Sequence, residues 1–336
     1  MMKIGAFGEV MLRLTPPEYL LLEQTNTLRM EFTGTGVNLL SNLSHLGQPV
    51  SLMTKLPDNR LGQAACANLK RLGIAPDYIG YSGDHLGSFF AEVGYGPRAT
   101  QVTYQNRRNS AFSLSPAAAY DLEGFVSEMD LIHICGITLS LTEETAATAQ
   151  ALAKTAAAAG KQVCFDFNFR PSLNDKPGQR AVMKQRYLAI LPHTDLVFGS
   201  VRDLVELLEF GETPSTAAEE EALVRSFLKQ FHIRHFAGTR RSHEASVPTL
   251  TGCLYTRTAT YFSQTYPLQV LDRIGTGDAF AAGILWGLAA AAEPQETVEF
   301  ACANAVLAHT IAGDVPLTTE KMVRHFMTAP HADLLR

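Results

Sequence analysis

Near the C-terminal end, the run Asp272-Arg273-Ile274-Gly275-Thr276-Gly277-Asp278-Ala279-Phe280 places two glycines and a carboxylate where a strand-like segment gives way to a helical one. Glycines at such a turn let backbone N–H groups approach an anion with no Cβ in the way. The helix start adds partial positive charge aimed at the same point. A carboxylate beside a phosphate cradle can take the proton of an attacking hydroxyl. That suits phosphoryl transfer, where catalysis is mainly positioning and charge stabilisation. Taken alone, Asp278 serves equally as a helix-capping residue after a Gly-rich turn. Neither G-x-x-x-x-G-K-[ST] nor G-x-G-x-x-G occurs, so the two commonest nucleotide loops are absent.

The elements that must hold this turn follow from hydrophobic spacing. The stretch 3–14 begins as a strand, and strand-like runs at 50–54, 131–135, 163–167, 195–198 and 235–237 alternate with helical patterns at 37–46, 61–72, 143–159, 179–191, 201–208 and 217–231. Leu39, Leu43 and Leu46 mark one helix face, and Gly73 and Gly160 close two of the helices. Between 74 and 112 the pattern changes to aromatic and β-branched runs, notably 88–95 and 100–104, which predict antiparallel strands in a small sheet of their own. A second β-rich patch spans 252–270, before Ala-rich helices at 276–292 and 295–311 and a last one at 320–327. Strands alternating with helices imply an α/β fold with a mostly parallel sheet covered on both faces. The predicted division is a core of 1–12, 36–84 and 113–330, with a β-rich lid of 13–35 and 85–112.

Composition narrows the classes. A chain of 336 residues with 46% hydrophobic and 18% charged residues has the makeup of a soluble globular protein, and its net charge of −5 argues against nucleic-acid or anionic-membrane partners. The five cysteines stand singly inside apolar runs, as in Val163-Cys164-Phe165, which is the usage of a reduced, cytoplasmic protein. Glu9 and Arg13 interrupt any signal-peptide core, and the longest apolar stretch, 279–292, falls short of the ~20 residues of a membrane span. Glu219–Glu221 reads as a solvated helix start, and His232, His235 and His243 are not spaced as zinc ligands.

The whole Asp272–Phe280 run resembles the C-terminal signature of the ribokinase/PfkB carbohydrate kinase family, Asp-x-x-Gly-x-Gly-Asp-[Ala/Ser]-Phe. Gly34-Thr35-Gly36-Val37-Asn38, continuing to Leu46-Gly47, resembles that family's N-terminal signature, and Pro57-Asp58-Asn59-Arg60-Leu61-Gly62 the run that follows it. The resemblance covers 3–327. It implies a ribokinase-like three-layer α/β/α domain with a small β-sheet lid, ATP and Mg²⁺ as cofactors, and a homodimer paired through the lids. It assigns Asp278 as the base, the N–H groups of Gly275, Thr276 and Gly277 as the anion hole, and Gly34 and Asn38 to the sugar. On the nucleotide side it implies Ser200, Thr239, Arg241, Gly275, Gly277, Asn304 and Ala308. Gly199-Ser200-Val201-Arg202-Asp203 departs from the family's Asn-x-x-Glu, with Ser for Asn and Asp for Glu. Asp203 is therefore either a Mg²⁺ ligand acting through water or a plain first-turn helix residue.

The stretches 8–14, Asp166-Phe167-Asn168-Phe169-Arg170-Pro171, Thr239-x-Arg241 and 309–314 resemble the 2-keto-3-deoxygluconate kinase branch. There the resemblance directs Arg107, near Tyr104, and Arg170, with Asn168, to a sugar acid. An Arg fork suits a carboxylate because it binds bidentately and stays charged at any working pH. Against this, Arg107 is also readable as an ordinary surface charge. Three alternatives stay open: a kinase for fructose, ribose or 5-keto-2-deoxygluconate, a catalytically silent sugar-binding regulator on the same fold, and an NAD-dependent α/β enzyme, against which the missing dinucleotide fingerprint speaks.

Overall fold

The computed structural model describes residues 1–242 and 247–329, so His243 lies outside the described residues. Its strands, in chain order, are β1 (Ile4–Phe7), β2 (Met11–Thr15), β3 (Arg29–Thr33), β4 (Val50–Leu56), β5 (Ile79–Tyr81), β6 (Gly87–Glu92) and β7 (Gln101–Gln105). They continue with β8 (Leu131–Cys135), β9 (Gln162–Asp166), β10 (Leu196–Phe198), β11 (His235–Ser242), β12 (Thr249–Thr256) and β13 (Thr260–Phe262). The main sheet runs β13-β12-β11-β10-β9-β8-β1-β4-β5, parallel from β5 to β11 and antiparallel beyond.

Strands such as β8 (LIHIC) are buried along their whole length, as a parallel sheet covered on both faces requires. One face packs on the helices Thr35–His45, Thr276–Ala289 and Pro294–Ala308; Leu40, Leu285 and Phe300 are fully enclosed there. The other packs on Glu143–Ala158, Gln179–Ile190 and Ala217–Gln230 through Leu152, Tyr187 and Phe227. Each such side chain contributes about 1.5–3 kcal/mol through removal from water.

The stretch 3–14 begins as the expected strand, β1, in the main sheet, and after a break β2 joins the small one; the strands expected at 88–95 and 100–104 form the antiparallel pair β6–β7. The small sheet, ordered β3-β2-β6-β7, is antiparallel only at its two outer pairings, and β2 and β6 run parallel. No hairpin joins that central pair. The chain returns to the main body between them, through β4 and β5, and re-emerges in the same direction.

Candidate active site

Asp272 shapes the glycine turn by accepting the N–H groups of Arg273 at 2.7 Å and Ile274 at 3.2 Å on one carboxylate oxygen. Gly275 then takes φ +82°, with the Asp314 carbonyl oxygen 1.8 Å from where a Cβ would sit, so any side chain there collides with backbone. Thr276 opens the following helix and spends its hydroxyl on the Arg273 carbonyl at 3.0 Å, which braces the turn. Across the sheet, Gly34 starts the helix Thr35–His45 at φ +150°, pressed against the Glu9 carbonyl, and that helix carries Asn38 inward. Asn38 Nδ2 donates to Asp278 Oδ2 at 2.8 Å, so the two ends of the sequence meet at this carboxylate.

All of this faces one cavity of about 760 Å³, enclosed between the C-terminal ends of the parallel strands and the small sheet. That is where open α/β sheets place their ligands. Asp278 is only 8% exposed. Burial pushes its carboxyl well above the usual range; the Asn38 hydrogen bond opposes this and nearby Asp166 adds to it. A carboxylate so placed holds a proton more readily than one in water.

The residues expected at a sugar acid line the same cavity. Arg170 follows β9 and makes no ion pair among the described residues, and Asn168 stands beside it at φ +35°. Arg107 is not a free surface charge. It is buried and paired with Glu9, and its guanidinium lies 5.0 Å from the centre of the Tyr104 ring. One terminal nitrogen, Nη1, is buried without a hydrogen-bond partner.

The nucleotide set divides. Ser200, Asp203, Thr239 and Arg241 line the cavity, together with Arg273 and His309. Arg241 Nη2 lies 2.6 Å from His309 Nε2, while His309 Nδ1 meets the Ala305 carbonyl at 2.7 Å, which assigns the ring proton to Nδ1. Burial pulls the His309 pKa down to about 4, and the charges of Arg241 and Arg273 act the same way. Asn304 and Ala308 are corrections, since neither lines the cavity. Asn304 is fully buried, donating to Asn42 Oδ1 and the Ala279 carbonyl, each at 2.7 Å, and it is Ala305 and the helix-capping His309, themselves buried, that border the cavity from this helix.

Asp203 accepts the Ser200 N–H at 2.8 Å and the Ser200 hydroxyl at 2.7 Å, as a helix-start residue does, and begins the π-helical turn Asp203–Leu207 within the helix expected over 201–208. Asp166, the last residue of β9, was not singled out from sequence, though it stands in the quoted Asp-x-Asn-x-Arg run. Burial pushes its carboxyl up to about 7; Arg170 opposes the shift and Asp203 adds to it. Among the described residues no three His, Cys, Asp or Glu side chains group as metal ligands. Asp166 and Asp203, both lining the cavity and close enough for Asp203 to raise the proton affinity of Asp166, nevertheless fit Mg²⁺, which commonly takes one or two carboxylates and completes its shell with water and phosphate.

A profile of the pfkB family carbohydrate kinases matches residues 1–319. An Enterococcus faecalis protein provisionally named a 2-keto-3-deoxygluconate kinase is 55% identical; the match covers 100% of this chain and 99% of the other, with a TM-score of 0.97. The 2-dehydro-3-deoxygluconokinase of Thermotoga maritima is 27% identical at a TM-score of 0.91, over 97% and 98% of the two chains. A 2-dehydro-3-deoxygalactonokinase of Haloferax volcanii is 29% identical over 99% of each.

Proposed function

Since the chain belongs to the pfkB family of carbohydrate kinases, we propose that it phosphorylates a sugar acid with ATP, 2-keto-3-deoxygluconate first among them, giving the 6-phosphate. Asp278 takes the proton of the acceptor hydroxyl, whose oxygen forms the new bond to the γ-phosphorus as the bond to the β-phosphate oxygen breaks and ADP departs. The N–H groups of the Gly275–Gly277 turn receive the negative charge of the transferring group. Arg241 and Arg273 stand ready for the other phosphates. Asp166 and Asp203 would hold Mg²⁺, which would supply neutralisation of phosphate charge when bound.

The observation that carries the sugar-acid reading is Arg170. It lines the same cavity as Asp278, carries a full charge, and has no carboxylate partner within ion-pair distance among the described residues. A cation held in that state suits a carboxylate that arrives with the substrate. The unpartnered nitrogen of Arg107 is a second donor for it.

The test is ADP release over a panel of 2-keto-3-deoxygluconate, its galactonate epimer, 5-keto-2-deoxygluconate, fructose and ribose. Highest turnover with a 2-keto-3-deoxy acid, lost on Arg170→Ala, supports the reading. Preference for a neutral sugar, indifferent to Arg170→Ala, overturns it. We also propose a homodimer paired through the small sheets, where edge strand β3 exposes Met30, and a cytoplasmic location consistent with five free, buried cysteines. Sedimentation at micromolar concentration tests the first, and cell fractionation the second. No helix of the described residues is long and apolar enough to cross a membrane.

A further inference from the structure

Arg13 belongs to the small sheet yet works on the catalytic turn. Along β2 every second residue is buried, and Arg13 sits with Met11 and Thr15 on the inward face, fully enclosed. Its Nη2 donates to Asp272 Oδ2 at 2.8 Å, its Nη1 to Asp314 Oδ1, and its Nε to Thr15 Oγ1 at 2.9 Å. Asp272 is the residue whose other oxygen gathers the turn's N–H groups, and Asp314 is the residue whose carbonyl packs against Gly275. One guanidinium thus fixes both carboxylates that border the turn.

The contacts do not stop there. Asp314 Oδ2 lies 2.8 Å from the Thr33 hydroxyl of β3, and that hydroxyl lies 2.9 Å from Asn38 Oδ1. Asn38 Nδ2 then donates to Asp278. Thr33 has a single hydrogen to share between Asn38 and Asp314, so Asp314 depends chiefly on Arg13 for its bonds. The path Arg13–Asp314–Thr33–Asn38–Asp278 is unbroken, and its members from 13 to 314 are all buried.

We propose that Arg13 is a positioning residue for phosphoryl transfer. Through Asp272 and Asp314 it sets the shape of the anion-binding turn, and through Thr33 and Asn38 it sets the direction in which the Asp278 carboxylate points. Strands β2 and β3 are thereby tied to the reacting centre. This inference rests on the kinase reading above. Its chemistry needs Arg in particular, because a planar fork reaches two carboxylates at fixed angles and an ammonium does not.

The test is steady-state kinetics of the full chain with ATP and the best acceptor of the panel, alongside thermal unfolding. The variants are Thr33→Val, Thr33→Ser and Arg13→Lys. Thr33→Val cuts the path with Arg13 and its two carboxylates intact, so it decides the matter even where Arg13→Lys fails to fold. Thr33→Val is expected to lower kcat between about tenfold and a hundredfold, the cost of a misdirected catalytic group. Both KM values stay within about twofold, because a group that acts only in the transition state leaves ground-state binding alone. Thr33→Ser restores kcat, and a folded Arg13→Lys repeats the kcat loss. Unchanged kcat in Thr33→Val overturns the inference, as does a loss confined to KM or a loss that Thr33→Ser does not repair. If wild type turns over no acceptor, the kinase reading falls and takes this inference with it. If wild type is active and Asp278→Asn is not, while Thr33→Val behaves as wild type, only the inference falls.

Discussion

The arginines around this cavity fall into two groups. Arg13 and Arg107 are buried and bound to carboxylates of their own chain, Asp272 and Asp314 for the first and Glu9 for the second. Arg170, Arg241 and Arg273 face the cavity and pair with no carboxylate among the described residues. The first group lies under the small sheet and the second along the mouths of the parallel strands. Buried charges without partners are costly, so the first group is neutralised by its own chain, whereas Arg170 and Arg273 are exposed and Arg241 half-buried, where water solvates them until a ligand takes its place. The closed group therefore builds the site, with one Arg107 nitrogen left over for the ligand, and the open group is left for what the site receives.

That contrast is open to attack from both sides. Arg13→Met strips two buried carboxylates of the only cation that pairs with them among the described residues, and breaking a buried pair costs about 3–5 kcal/mol. Denaturant unfolding is expected to show a loss of that size, and an unchanged midpoint would dissolve the distinction between the groups. Arg170→Ala is the converse. Activity on a sugar acid drops about a hundredfold in kcat/KM, the worth of a lost hydrogen-bonded charge, while stability holds or rises. Arg241→Gln comes next, with KM for ATP raised about tenfold and KM for the sugar acid unmoved, since loss of uniform binding appears in KM.

The smallest effect is one of pH on the ligand-free protein. Asp166 holds its proton up to about 7 in the folded state because of burial, with Asp203 adding to the shift, whereas an unfolded Asp titrates near about 3.9. The folded state binds the proton more tightly, so this group's contribution is full below pH 4 and is lost as pH rises through 7. Thermal midpoints are expected to fall across that window and to fall less in Asp166→Asn. Burial raises Asp278 and Asp314 in the same direction, so the slope is reduced and not abolished.

Much of the site was legible in the sequence because its chemistry is local. The turn from Gly275 to Asp278 and the turn at Gly34 each carry their reason in neighbouring residues, a backbone that excludes Cβ and a helix that begins at once. Arg170 was legible for the same cause, standing just past a strand end. What failed to show was long-range. Arg13 reads as a charge interrupting an apolar run, and only the fold brings it to Asp272 and Asp314, more than 250 positions away. The one signal was its place in the alternation of β2, on the face with Met11. Asn304 misled for a related reason. The resemblance set it beside the nucleotide, whereas here it joins three buried segments through Asn42, Ala279 and Thr318. The parallel centre of the small sheet was hidden too, because hydrophobic alternation marks a strand and not its partner's direction.

The central claim is that Asp278 is the base of a sugar-acid kinase. Its most direct test is ADP formation by wild type and Asp278→Asn with ATP, Mg²⁺ and 2-keto-3-deoxygluconate. The substitution keeps shape and removes basicity, so kcat is expected to fall by about a hundredfold to ten-thousandfold, the range supplied by a positioned acid–base group. KM for the sugar acid is expected to stay near that of wild type. Equal turnover in the two proteins would contradict the account.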